Sequence, residues 1–338
     1  LQTKINNPEI LYVGSKGGLE ATLIPAKGWK FRAISCGKLR RYFSWENFLD
    51  VFRTSLGVLQ SLAIIAGFKP QVIFCKGGFV SLPVAVAGGL LGKEVIIHES
   101  DLEMGLANKL AARFARVICV SFPETAQQMK GNKKVVLTGN PVRRELAEGS
   151  AEKAYEFTGL KPGRQTILVM GGSQGSQFLN GIIFHHLHNL LKEYQLVHVC
   201  GKGNLPEHSK YSSKDGYFAL EYLGKEQKDV LAITDLFIGR AGANSLAELD
   251  FLGLPAILIP LVAGSRGDQI RNAESFAKNH NCLVLDETKV NPEKLDLLKE
   301  IDMILDKTKR HKTVKPPAAA GKIADIIISL AEKHVKKN

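Results

Sequence analysis

The sequence predicts an α/β protein built from two doubly wound, Rossmann-like domains, and two observations carry that prediction. Short β-branched runs recur along the chain, each followed by a glycine-rich or polar turn and then by helical spacing, which is the pattern of βαβ units around a parallel sheet. The 338 residues also exceed one typical domain, leaving about 150 residues for each of two, enough for a core in both.

In order, the predicted strands are Ile10–Gly14, Val72–Cys75, Val95–His98, Val117–Val120, Val135–Thr138, Thr166–Met170, Val197–Cys200, Leu236–Gly239 and Ala256–Pro260. Helices fill the intervals, Ser81–Leu91 and Gln177–Leu191 among them. The polar, Gly- and Pro-containing stretch between Arg144 and Arg164 separates two sets of strands and is expected to hold the boundary, giving domains over residues 1–155 and 156–318. A basic, low-apolar stretch, Lys307–Lys315, reads as a linker to a final amphipathic helix, Ala320–His334, within a closing segment 319–338. The opening LQTKINNPEILYVGSKGG reads as the tail of a helix and then a second strand, so the first strand and turn of a doubly wound domain are expected to be missing from this sequence.

Composition narrows the function classes. Hydrophobic residues are 45% and aromatics 7%, with charge spread along the chain, as in a soluble globular protein. Cys36, Cys75, Cys119, Cys200 and Cys282 lack CxxC spacing and are expected to be reduced thiols, neither a disulfide framework nor a zinc site. No uninterrupted apolar run reaches the roughly 18 residues of a membrane span, so a peripheral protein is expected. The formal charge of +12 calls for an anionic partner: nucleic acid, an anionic lipid surface or a phosphorylated substrate. Nucleic acid is the weakest of these, because the aromatics form no stacking platform and the charge no single stripe. Lys38, Arg40 and Arg41 beside Tyr42, Phe43, Trp45, Phe48 and Phe52 instead suit an anionic bilayer surface.

In open parallel sheets, ligands bind beyond the carboxyl ends of the strands, where loops converge and helix N-termini present free amides. Glycine is concentrated in those loops: KGGFVS at 76–81, GNPVR at 139–143, GGSQGS at 171–176, GKGN at 201–204, RAGANS at 240–245 and VAGSRGDQ at 262–269. None matches GxGxxG or GxxxxGK[ST], which argues against an NAD-type dehydrogenase and a P-loop NTPase. In GGSQGS, Gly171 and Gly172 allow backbone to approach a phosphate while Ser173 and Gln174 offer side-chain hydrogen bonds. Glu248 lies about one turn inside the helix after RAGANS, where a carboxylate can accept both ribose hydroxyls or simply be solvated. Arg240, at a strand end, is a candidate anion contact. His98 and Glu99 end a buried strand with Asn108 close behind, a candidate acid–base group or a satisfied core histidine. His185, His186 and His188 lack the HExxH spacing and read as packing or surface residues.

Taken together, KGGFVSLP, HESDLEMGLANK, GNPVR, GGSQGS with Asn180, RAGANSLAELDFLGLP and GDQIRNAE, in that order, resemble the MurG-type transferases, which add N-acetylglucosamine from UDP-GlcNAc to lipid I to give lipid II in peptidoglycan (cell wall) synthesis. The resemblance spans essentially the whole chain. It implies the two-Rossmann-domain (GT-B) glycosyltransferase fold with a cleft between domains, a last helix packing back on the first domain, inversion at the anomeric carbon, and no metal or other cofactor. It places the donor in the C-terminal domain: Ser173 and Gln174 near the diphosphate, the backbone around Leu223 at the uracil, Glu248 on the ribose, Asp268, Gln269 and Asn272 around the sugar, and Arg143 and Arg240 at anionic groups. Gly77, Gly78 and Asn108 are then acceptor residues. The family's N-terminal glycine loop and its His are absent, which leaves His98 and Glu99 as the catalytic candidates. Phe79 stands where many relatives have Tyr, and ESD, with Asp101, replaces EQN. The implied partners are UDP-GlcNAc, a polyprenyl-pyrophosphate-linked MurNAc-peptide and an anionic membrane surface at the cytoplasmic face, with no nucleic acid. Rival expectations are a diacylglycerol glycosyltransferase, a UDP-GlcNAc epimerase and a non-catalytic binding protein.

Overall fold

A computed structural model describes residues 1, 4–37, 45–129, 131–132, 134–172, 175–205, 215–262, 267–307, 314 and 318–335. The chain forms two compact units, Leu1–Asn140 with Ala318–Asn338, and Pro141–Pro317.

The first unit runs β1 (Leu11–Ser15), α1 (Glu20–Ala26), β2 (Lys30–Ile34), α2 (Trp45–Phe68), β3 (Val72–Cys75), α3 (Ser81–Leu90), β4 (Glu94–Glu99), α4 (Leu106–Ala111), β5 (Val117–Val120), α5 (Pro123–Gln128) and β6 (Val135–Leu137). β1 and β2 form one parallel pair, and β3, β4, β5 and β6 form a four-stranded parallel sheet in that order. Helices cover both faces of the larger sheet. Val95, Ile97, Ile118 and Val120 pack with Ala85, Ala87 and Ala111 of α3 and α4, while Ile96 and Cys119 meet Ile323 and Leu330 of a last helix, Ala318–Val335. That double coverage is why these strands read as unbroken apolar runs.

α2 has two faces. Ile65, Val58 and Leu62 join the core beside α3, whereas Phe52, Leu56 and Leu59 are exposed. By length and composition alone, Asp50–Phe68 is apolar enough to cross a membrane, although only 17% of that window is buried in the protein. The segment is not an uninterrupted apolar run, because Asp50, Arg53 and Gln60 fall within it.

The second unit runs from a 3-10 helix (Arg144–Glu148) and α6 (Ala151–Thr158) through β7 (Thr166–Met170), α7 (Gln177–Glu193), β8 (Gln195–Val199), β9 (Tyr217–Leu220), α8 (Gln227–Ile233), β10 (Thr234–Gly239), α9 (Ala243–Leu252), β11 (Ala256–Leu258), α10 (Asp268–Ala277) and β12 (Cys282–Val284) to α11 (Leu297–Lys307). The last helix of the chain, introduced above, is α12. The six strands are parallel in the order β12-β11-β10-β7-β8-β9. The first strand lies beside the fourth, so the order reverses between β7 and β10, the place where doubly wound sheets hold their ligands.

The expected boundary between 144 and 164 is corrected, because that polar stretch is a folded part of the second unit and the break falls after Asn140. Ser150 caps α6 by accepting from Lys153 N, and Gly159, at φ 70°, closes it. Leu146, Ala154 and Leu160 are buried in the core with Val230 and Leu231. A Cβ on Gly149 would collide with the Lys228 carbonyl, and Ser150 N donates to Asp229 Oδ1 at 2.8 Å. The predicted linker 307–315 lies almost wholly outside the described residues. All five cysteines are free.

Candidate active site

The reversal point of the second sheet is built from the loops after β7 and β10. Glycine is required after β7: a Cβ on Gly171 would strike Ser176 N, one on Gly175 would strike Cys200 O, and Gly172 and Gly175 sit at φ 95° and 76°. Ser176 ends the loop by accepting from Leu179 N, capping α7. Ser173 and Gln174 lie outside the described residues.

Arg240 leaves the end of β10 buried, and its guanidinium is already engaged. Nη1 donates to Glu287 Oε2 (2.6 Å) and Ile259 O (2.9 Å), and Nη2 to Ser176 Oγ (2.7 Å) and Glu287 Oε1 (3.2 Å). The expected anion contact is therefore corrected to a brace that ties the two loops to Glu287. The spacing of RAGANS gave no hint of a carboxylate 47 residues further on.

Glu248 stands on α9 above a small hollow lined by Met170, Gln227, Leu231, Phe237, Ser245 and Leu249. Gln227 Nε2 donates to its Oε2 at 3.2 Å, and Arg143 Nη2 lies 3.6 Å from Oε1 while donating to Gln227 Oε1 at 2.7 Å. Burial pushes the Glu248 carboxyl above its ordinary range, against the pull of Arg143 and Gln227. GNPVR and RAGANS thus meet through Gln227, a residue that the sequence did not single out; its only signal is its place at the first position of a helix after a glycine turn. Arg143 remains more than half exposed, with its cationic head at the rim.

Asp268 opens α10 after Gly267 (φ 77°), and Gln269 Oε1 accepts from Leu261 N at 3.0 Å, fixing the loop after β11. Asn272, expected beside the sugar, is fully buried on the packed side of α10. The Leu223 side chain is buried in the core, while its backbone N–H and C=O enter no hydrogen bond among the described residues.

In the first unit, the ends of β3, β4 and β6 gather a different set. Lys76 Nζ donates to Asn140 Oδ1 (2.6 Å) and Ser100 Oγ (2.7 Å), and lies 3.3 Å from His98 Nδ1. An ammonium has hydrogens only to give, so Nδ1 accepts and Nε2, 3.0 Å from Gly139 O, carries the proton. His98 is fully buried and both ring nitrogens are occupied. Burial first, then Lys76, pushes its pKa down to about 4. Glu99 is likewise committed, accepting from Asp101 N (3.1 Å), Gly105 N (2.9 Å) and Asn108 Nδ2 (2.9 Å). In this arrangement both candidates hold the loop after β4: the ring nitrogens of His98 are both engaged, and Glu99 accepts three hydrogen bonds, one on Oε1 and two on Oε2. Gly77 and Gly78, at φ 98° and 79°, carry the loop into α3, with Gly77 against Asn108.

A pH dependence follows. His98 and His198 are both buried as neutral rings with pKa values lowered from 6.5 to about 4. The folded chain therefore binds fewer protons than the unfolded one between those values, so stability is full above pH 6.5 and lost as pH falls toward 4. Thermal midpoints taken across that window are expected to fall, and the His98 ring resonances to show no titration between pH 5 and 8; a His98 midpoint near 6.5 would overturn the assignment.

Two parallel α/β units of this kind, with an acidic residue beside the reversal point of the second, fit the nucleotide-sugar-dependent glycosyltransferases. Residues 166–330 match the C-terminal domain of glycosyltransferase family 28 and residues 3–120 its N-terminal domain, and the chain belongs to that family. It is 43% identical, over 97% of its length and 91% of the relative's, to the UDP-N-acetylglucosamine–N-acetylmuramyl-(pentapeptide) pyrophosphoryl-undecaprenol N-acetylglucosamine transferase of Clostridium novyi. It is 44% identical, over 91% of its length and 86% of the relative's, to the Bacillus cereus transferase 2 of the same name. The crystal structure of Acinetobacter baumannii MurG shares the fold, with a TM-score of 0.68 at 23% identity over 95% of this chain and 91% of that one.

Proposed function

We propose that this chain is an inverting glycosyltransferase that moves N-acetylglucosamine from UDP-GlcNAc to the 4-hydroxyl of MurNAc in lipid I, forming lipid II. The observation that carries the reading is the 43% identity over 97% of the chain to a transferase named for that donor and acceptor.

In this reading the second unit holds the donor. Glu248 accepts the ribose hydroxyls, with its exposed neighbour Arg143 set to meet phosphate charge, and the backbone at Leu223 reads the uracil. Asp268 and Gln269, at the start of α10, take the sugar, and Ser173 with Gln174 the diphosphate. The first unit holds the acceptor around Gly77, Gly78 and Asn108. The acceptor oxygen bonds to C1 from the face opposite the departing UDP, the C1–O bond breaks with its electron pair passing to UDP, and the hydroxyl proton passes to solvent. Positioning and electrostatic stabilisation of the leaving diphosphate supply most of the acceleration, without a metal. Transfer of labelled N-acetylglucosamine from UDP-GlcNAc to a lipid I analogue tests the reading; release of free sugar, or transfer only to diacylglycerol, overturns it.

We also place the protein peripherally on the cytoplasmic membrane face, with the exposed stripe Phe52, Leu56 and Leu59 of α2 against the bilayer. Burying a leucine is worth about 1.5–3 kcal/mol, so Leu56→Asp with Leu59→Asp is expected to cut co-sedimentation with anionic vesicles at least about tenfold. Unchanged partition would remove this face from the membrane.

A further inference from the structure

One fully buried histidine takes no part in the proposed reaction. His198 lies on β8, with the Phe184 ring of α7 5.4 Å from its own. Burial lowers its pKa to about 4, so the ring is neutral at pH 7 and carries one proton. Both nitrogens are engaged: Nδ1 lies 3.0 Å from the Tyr217 hydroxyl on β9, and Nε2 lies 3.0 Å from Asn180 Oδ1 on α7. Asn180 Nδ2 in turn donates to Cys200 O at 3.0 Å. A carbonyl only accepts, so the amide is oriented and its Oδ1 meets the ring as an acceptor. Nε2 therefore carries the proton, and Nδ1 accepts from the Tyr217 O–H. The hydrogen bonds run one way, from Tyr217 through His198 and Asn180 to the Cys200 carbonyl.

That carbonyl is the floor of the glycine loop after β7. Gly175 packs on Cys200 O so closely that a Cβ would overlap it, and Gly175 N closes the turn by donating to Gly172 O at 3.0 Å. Asn180 N donates to Ser176 O at 2.8 Å, so a single residue is tied both to the end of the loop and to its floor. His198, Asn180 and Tyr217 are 0%, 4% and 2% exposed, and Tyr217 belongs to the apolar cluster of Ile167, Val169, Ile182 and Ile183. Buried polar groups in such a place add little net stability over apolar groups of the same shape. What they add is direction, because a satisfied polar network specifies one arrangement where apolar packing accepts several.

We infer that His198 is a positioning residue for the donor diphosphate: through Asn180 and the Cys200 carbonyl it holds Gly175 and Ser176 where the amides opening α7 meet the phosphates. The inference rests on the transferase reading above and adds to it a residue that never touches the substrate. α7 is 17 residues long, and its first-turn amides form the positive end of the helix. A small shift of the loop weakens hydrogen bonds to the phosphates and leaves the uridine contacts in place, since Glu248 and Leu223 stand on α9 and after β9.

Calorimetry with UDP and with uridine, on wild type, His198→Leu and His198→Gln, tests this. Leucine removes the ring donor, whereas glutamine can place an N–H where Nε2 stands. His198→Leu is expected to lose about tenfold in UDP affinity and less than about twofold in uridine affinity, the size of one hydrogen bond to a charged group. KM for UDP-GlcNAc should rise by the same factor with KM for the acceptor unchanged, and His198→Gln should recover most of the loss. A merely structural histidine lowers the thermal midpoint and moves UDP and uridine together or not at all, so equal changes for the two ligands overturn the inference. A check that needs no variant is the histidine nitrogen-15 spectrum of the wild type at pH 7: the Nε2–H tautomer is expected for His198, and the Nδ1–H tautomer would break the chain of hydrogen bonds and the inference with it. No UDP binding by the wild type removes the donor reading and this role together, whereas UDP bound equally by wild type and His198→Leu removes only the role of His198.

Discussion

Replacing Glu248 with alanine is expected to weaken UDP binding about tenfold to a hundredfold, the value of a hydrogen bond or two made by a charged group to the ribose. The same change should not cost stability, because the carboxylate is held in a mostly apolar hollow with only Gln227 and the 3.6 Å contact to Arg143 to support it. Burial raises its pKa above 4.5. For a carboxyl shifted upward, the folded state holds its proton more tightly than the unfolded one. The stabilising share is therefore full below pH 4.5 and lost as pH rises through the folded value, leaving a net cost at neutral pH. Glu248→Gln is accordingly expected to melt higher than wild type at pH 7, with the gap closing below pH 4.5, while still binding UDP less well. A variant that melts higher and binds UDP normally would end the ribose assignment. The combination of lower stability with better binding is what a site residue held for function shows.

Removing Glu287 is expected to have the largest effect on stability. Arg240 and Glu287 make a two-point ion pair at 2.6 and 3.2 Å with side chains only 9% and 20% exposed. Deleting one partner of such a pair strands a buried charge at a cost of about 3–5 kcal/mol, or roughly 10 °C in the midpoint of a unit of this size. Glu287→Ala should therefore unfold much earlier, and Arg240→Met combined with it should recover part of the loss, since no unpaired guanidinium then remains. UDP affinity of the folded fraction is expected to stay within about twofold in Glu287→Ala if Arg240 is a brace. A loss of binding without a loss of stability would return Arg240 to the ligand.

The limits of sequence reading follow the same physics. Strands buried on both faces, such as β4, β5, β7 and β10, need apolar residues at every position and were legible. The three strands that escaped notice, β2 (KFRAI), β9 (YFAL) and β12 (CLV), pair on one side only and carry partly exposed residues, so nothing forces an apolar run. β8 begins earlier than its apolar run because Gln195 is buried and satisfied by Lys161 O, Arg164 O and Thr166 Oγ1, partners far away in the chain. The segment 144–164 looked like a linker because its helices are short and amphipathic, and only their contacts with α8 make them part of the second unit.

What the sequence by itself determined was the fold class, the family and the loops that carry chemistry, because glycine turns after strands and the periodicity of buried strands are local properties of the chain. What the tertiary structure decided was the work each polar side chain does. His98, Glu99 and Arg240 had the right chemistry for catalysis or anion binding, yet His98 is engaged at both ring nitrogens by Lys76 and Gly139, Glu99 already accepts from Asp101, Gly105 and Asn108, and Arg240 is paired with Glu287. His198, joining Tyr217 to Asn180, and Gln227, linking Arg143 to Glu248, are distinguished only by such pairings. A side chain's role depends on which of its donors, acceptors and charges remain unmatched once distant segments have met, and sequence spacing does not encode that remainder.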